Sequence, residues 1–135
     1  MEKMRIAKIV ECSRELSAKE KIKLKDEKNH KPLKVVTKPD SATPCIEIDV
    51  NGYALIQVHN ERAKNNKDYE ILVIEDKNGV TYSTSSNSMK ESFMDIWTDM
   101  KESCEDDSFL EDFKINVYSL PSKNNENGFI ICSLI

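Results

Sequence analysis

The sequence predicts a mainly β (α+β) fold: five strands curling into a barrel, one helix between strands 3 and 4, and an N-terminal arm. Three observations lead there. From residue 53 to residue 135 the chain reads strand, strand, strand, helix, strand, strand, with short polar breaks. One segment alone repeats its apolar residues at the helical period. Asn-Gly pairs at 51–52 and 78–79 mark tight changes of direction.

In the arm, Ile6, Ile9, Val10 and Cys12 stand among charges and suit a short strand or a turn of helix. Ser17-x-x-Glu20 fits a capping box, in which Ser and Glu side chains satisfy each other's backbone N–H groups. The Lys-rich run after it holds only Ile22 and Leu24, too few for a buried stripe, so it is expected to be weakly held or extended. Pro32, Pro39 and Pro44 then break the chain, and residues 1–44 read as an appendage to a domain at 45–135.

Ile46, Ile48 and Val50 alternate with acids, as a half-buried strand does. Asn51-Gly52 either turns a hairpin or kinks one long strand. Residues 69–74 are apolar on both faces, which suits a central strand, and the turn through Asn78-Gly79 returns the chain to residues 80–84. Ser88-x-x-Glu91 is a second capping-box pattern. After it Met89, Phe93, Ile96, Trp97, Met100 and Cys104 form one helical stripe, read as a core face. Phe109, Leu110 and Phe113 anchor an acidic stretch. Strands are then expected at 113–120 and 129–135, around the polar loop 121–128. Three strands, a helix and two strands is the order of an OB-type barrel, a fold that hosts many binding functions.

Composition narrows the chemistry. At 135 residues and 39% hydrophobic content the chain can bury a core without disulfides or a metal. Its apolar runs are far shorter than the roughly 20 residues that span a bilayer, and its N-terminus lacks a signal-peptide core, so a cytoplasmic protein is expected. Cys12, Cys45, Cys104 and Cys132 are scattered without paired-ligand spacing, and His30 and His59 do not complete a zinc set. Gly52, Gly79 and Gly128 lie too far apart for a phosphate loop. No nucleophile–base pattern occurs. The expectation is no enzyme, no metal and no cofactor.

The charge is divided along the chain. Residues 1–39 hold 12 Lys/Arg against 6 Asp/Glu, a net of +6, and residues 40–135 hold 8 against 18, a net of −10. Cations nevertheless gather in the loops at 59–68 (Arg62, Lys64, Lys67) and 121–128 (Lys123, beside Asn124). With Lys77 on the intervening turn and Tyr69 and Tyr82 on nearby strands, they make a candidate nucleic-acid face. Single strands need cations for phosphates and aromatic rings for stacked bases. The barrel reading sets both loops at one mouth.

The segments VHNERAKNNKDYEILVIEDKNGVTYSTSSNSMKESFMDIW and LPSKNNENGFIICSL resemble small OB-type single-stranded DNA-binding proteins of phages and mobile elements in Gram-positive bacteria. The resemblance covers roughly the last 80 residues. It implies a non-enzymatic protein that binds single-stranded DNA or RNA during replication. It points again at Arg62, Lys64, Lys67 and Lys123. Two rival readings accompany it: an acidic, DNA-mimicking inhibitor of a host protein, and a homo-oligomeric assembly protein that exchanges its arm between subunits.

Overall fold

The computed structural model describes residues 5–33, 45–62, 67–104, 107–122 and 125–135. In chain order these form β1 (Arg5–Cys12), α1 (Ala18–Lys25), β2 (Lys31–Pro32), β3 (Cys45–Asn60), β4 (Asp68–Asp76), β5 (Thr81–Thr84), α2 (Asn87–Glu102), β6 (Lys114–Ser122) and β7 (Asn125–Leu134). Short 3-10 turns occupy Glu27–Asn29 and Asp107–Asp112. The strands make a curled mixed sheet, a half-barrel, in the order β2-β5-β4-β3-β6-β7, with β1 added alongside β3. All pairings are antiparallel except the short β2–β5 contact.

β3 organises the rest. Its first residues pair with β6 (Cys45↔Tyr118 to Asp49↔Lys114), and its later ones pair with β4 on one side and β1 on the other. The change of partner falls at Asn51-Gly52, where the register slips by one residue. The Asn-Gly pair therefore bends one strand and makes no hairpin. Gly52 is required by proximity: a Cβ there would lie 2.7 Å from Ser13 Oγ. That hydroxyl accepts the Tyr53 N–H, while the Ser13 N–H donates to the Tyr53 carbonyl, both at 3.0 Å. The end of β1 is thus fastened to the bend.

β4 lies between β3 and β5, and its run Ile71, Leu72, Val73, Ile74 is buried throughout. Alternation sends Leu72 and Ile74 to one face and Ile71 and Val73 to the other. The first face meets α2. Met89, Phe93 and Trp97 are buried there, with Ile96, Met100 and Cys104 packed against the cluster, as the helical stripe predicts. Trp97 makes edge contacts with Tyr53, Phe109 and Phe113 at centroid separations of 4.8–5.8 Å. The second face carries Ile56, Val58, Ile71 and Val73, covered by Ala7 and Ile9 of β1, Leu24 of α1 and Tyr69.

Several boundaries differ from expectation. α2 is capped by Ser86, whose hydroxyl accepts the Met89 N–H; the Ser88 hydroxyl donates to the Ile130 carbonyl. Ser92 Oγ accepts the Cys132 N–H at 3.1 Å. The outer edge of β7 is therefore satisfied by helix serines, and no β5–β7 pairing closes the barrel among the described residues. β6 and β7 extend to Ser122 and from Asn125, well into the expected loop.

The arm is also built in. β1 runs along β3, and Leu33 is 0% exposed in the main core. The expected boundary near residue 44 lies outside the described residues.

Candidate nucleic-acid interface

Among the described residues, the expected site residues fall in three places: the β3–β4 turn, the far end of β4 and the core. Strand register sets the chain's exits after Asn60 and after Ser122 at opposite ends of β3. Lys64, Lys123 and Asn124 lie outside the described residues. Arg62 and Lys67 are at the β3–β4 turn, where Lys67 Nζ pairs with Glu61 at 3.2 Å. Tyr69 is half-buried at the start of β4, packed on the second cluster. Lys77 sits at the other end of β4, paired with Asp49 at 3.3 Å and donating to the Glu111 carbonyl, so it ties the hairpin to the body.

Tyr82 corrects the expectation most clearly. It pairs with Ile74 across the strands, follows that residue into the core, and is only 7% exposed. Burial, then the nearby Asp76, raises the pKa of its hydroxyl. Its ring has no face to offer a base.

The cations gather instead between β1 and α1. A groove of about 590 Å³ is lined by Lys8, Arg14, Lys21 and Lys25, by Ile9, Val10 and Leu16, and by Glu11 and Glu15. α1 exists here through its ends. Ser17 and Glu20 form the capping box, with both bonds at 3.2 Å. At the other end the carbonyls of Lys23, Leu24 and Lys25 accept from Asn29 Nδ2, His30 Nε2 and Arg5 Nη1 at 3.1, 2.8 and 2.9 Å. His30 is buried, and its Nδ1 meets the Thr81 hydroxyl at 2.6 Å, which anchors this end of the helix on β5. None of the eight residues of α1 is buried, so its lysines remain at the surface.

Electrostatics divide the groove's cations. Arg14 Nη1 lies 2.6 Å from Glu20 and Nη2 lies 3.5 Å from Glu75. The Glu20 hydrogen bond raises the guanidinium pKa further. Backbone donation from Ser17, then Arg14, lowers that of the Glu20 carboxyl. Glu11 is occupied by the Tyr53 hydroxyl at 2.7 Å; burial, then this bond, raises the tyrosine's pKa. Lys8, Lys21 and Lys25 take part in no ion pair among the described residues. Lys8 also borders a second furrow of about 450 Å³ that reaches His59, Asp68 and Tyr69.

Sequence reasoning passed over these lysines because they come from a strand and a helix that meet only in the fold. The net +6 of residues 1–39 was the signal. Among the described residues no three His, Cys, Asp or Glu side chains could hold a metal ion, and no helix is long and apolar enough to cross a membrane. Comparison with protein-family models, curated proteins and solved structures finds nothing that matches this chain.

Proposed function

We propose that this protein is a non-enzymatic binder of single-stranded nucleic acid, DNA first, with the α1–β1 groove as the seat of the strand. The carrying observation is the trio Lys8, Lys21 and Lys25, three ammonium groups unpaired with carboxylates among the described residues, lining one groove with Ile9, Val10 and Leu16. Phosphates supply the missing anions, and the apolar lining residues suit sugars and base edges. Tyr69 lines the second furrow together with Lys8, and its exposed part is where we place a stacked base. We read the half-barrel as an OB-type sheet left open at β7, with α2 between the third and fourth of its strands. The resemblance to phage and mobile-element single-strand binders supports the same reading.

The test is fluorescence anisotropy of labelled oligo-dT across a salt series. Three phosphate contacts give a slope of log K against log salt of about −2, at about 0.7 per contact. Removing one lysine shallows it by about 0.7. Absence of binding at low salt, or an unchanged affinity in K8E/K21E/K25E, overturns the proposal.

A second reading has its own observation. Glu91, Asp95, Asp99 and Glu102 follow one another along the exposed side of α2, and none is in an ion pair among the described residues. Their spacing of about 6 Å along the axis imitates a polyanion. This favours an inhibitor that mimics DNA. Competition between the protein and oligo-dT for a purified DNA-binding enzyme, lost on reversing these four charges and retained in the lysine variant, selects that reading.

A further inference from the structure

The β3–β4 turn carries an arrangement that strand binding does not use. His59 and Asp68 are register partners across the two strands, and His59 Nδ1 lies 2.6 Å from Asp68 Oδ1. Its other nitrogen, Nε2, lies 2.5 Å from Glu61 Oε1. Glu61 Oε2 in turn meets Lys67 Nζ at 3.2 Å. One imidazole thus lies between two carboxylates, one fixed on β4 and one just beyond the end of β3.

Hydrogen-bond valence decides what this geometry requires. Both carboxylates are acceptors, so each ring nitrogen must carry a proton, and only imidazolium has two N–H donors. A neutral ring presents a lone pair to one carboxylate oxygen at contact distance, which is repulsive. The surroundings are mixed. Asn60 and Gln57 on β3, Lys8 and Ile6 on β1, and Arg62 and Lys67 in the turn supply neutral or positive groups, while Glu70 on β4 adds a third acid.

We propose that His59 is a proton-operated clasp on the β3–β4 turn, closed while the ring is protonated and released on the Glu61 side when the proton leaves to water. The Asp68 contact is retained because strand pairing holds those residues opposite one another, and a neutral ring still donates there through Nδ1–H. Glu61 stands outside the ladder and, among the described residues, keeps its contact with Lys67. The paired carboxylates, Glu61 first and then Asp68, raise the His59 pKa, and His59, then Lys67, lowers that of Glu61. For a group with a raised folded pKa the stabilisation is complete below the unfolded value, about 6.5. It fades as pH rises through the folded one.

NMR titration of the full chain tests the clasp without nucleic acid, so its failure is separable from failure of the groove reading. The His59 ring signals are expected to titrate above the ordinary histidine midpoint, and the Glu61 and Lys67 amides to move with the same midpoint. E61Q and D68N each bring that midpoint down, and H59Q abolishes the coupled amide shifts. A wild-type midpoint at or below the ordinary value, or one unmoved by E61Q, overturns the proposal. Amide spectra that match wild type away from the turn establish that the variants are folded.

Discussion

The two helices lie against opposite faces of the β3–β4 pair and are held by opposite means. α2 presents sixteen residues, three of them buried in the main hydrophobic core, and its outer side is acidic. α1 presents eight residues, none buried, and is held by a capping box at one end and three side-chain donors at the other. A helix fixed by its stripe commits one face to the core. A helix fixed by its termini keeps its sides for solvent or a ligand. The contrast explains why the basic groove forms beside α1 and why the largest loss of stability is expected on α2.

Substitutions that separate the two modes follow in order of size. Trp97→Ala removes the ring that touches Tyr53, Phe93, Phe109 and Phe113 and is expected to cost about 3–5 kcal/mol in denaturant unfolding. A cost under 1 kcal/mol would show that α2 is not the main support. Gly52→Ala forces a methyl against Ser13 Oγ and is expected to cost about 1–3 kcal/mol. Ser13→Ala in the same chain should recover part of that loss, because the clashing atom is gone.

Ser17→Ala deletes the cap of α1, worth about 1 kcal/mol. The expected readout is faster amide exchange confined to residues 18–25, with the slowest core amides unchanged. K8E/K21E/K25E should change the unfolding free energy by no more than about 1.5 kcal/mol, about 0.5 for each surface substitution, while abolishing oligo-dT binding. Equal damage to stability and binding in that variant would erase the distinction between the helices.

Much of this contrast is visible in the chain itself. The i, i+4, i+7, i+8 recurrence through Met89, Phe93, Ile96 and Trp97 specifies a buried helix whatever it packs on. Asn78-Gly79 marks its turn because Gly79 adopts a φ of 85° and the Asp76 carboxylate gathers the Asn78 and Val80 N–H groups. Ser17 and Glu20 signal each other three residues apart.

What stayed hidden depends on pairing partners. Thr81–Thr84 is too short for its pattern to say which way Tyr82 points, and only its register with Ile74 decides. The β1–α1 groove requires knowing that Lys8 and Lys25 come from elements that meet. Among the described residues the sheet stays open at β7, because two serines of α2 bond to its edge, an arrangement that only the packed helix reveals.

The bend in β3 has a consequence for how the molecule comes apart. One continuous strand supplies hydrogen bonds to β1 and β4 beyond the bend and to β6 before it. Neither half can melt without stripping a ladder from the strand it shares with the other. Unfolding is therefore expected as a single all-or-none transition. The amides slowest to exchange should sit on β3 flanking the bend, so that a residue with no side chain marks the seam where two sheet halves become one thermodynamic unit.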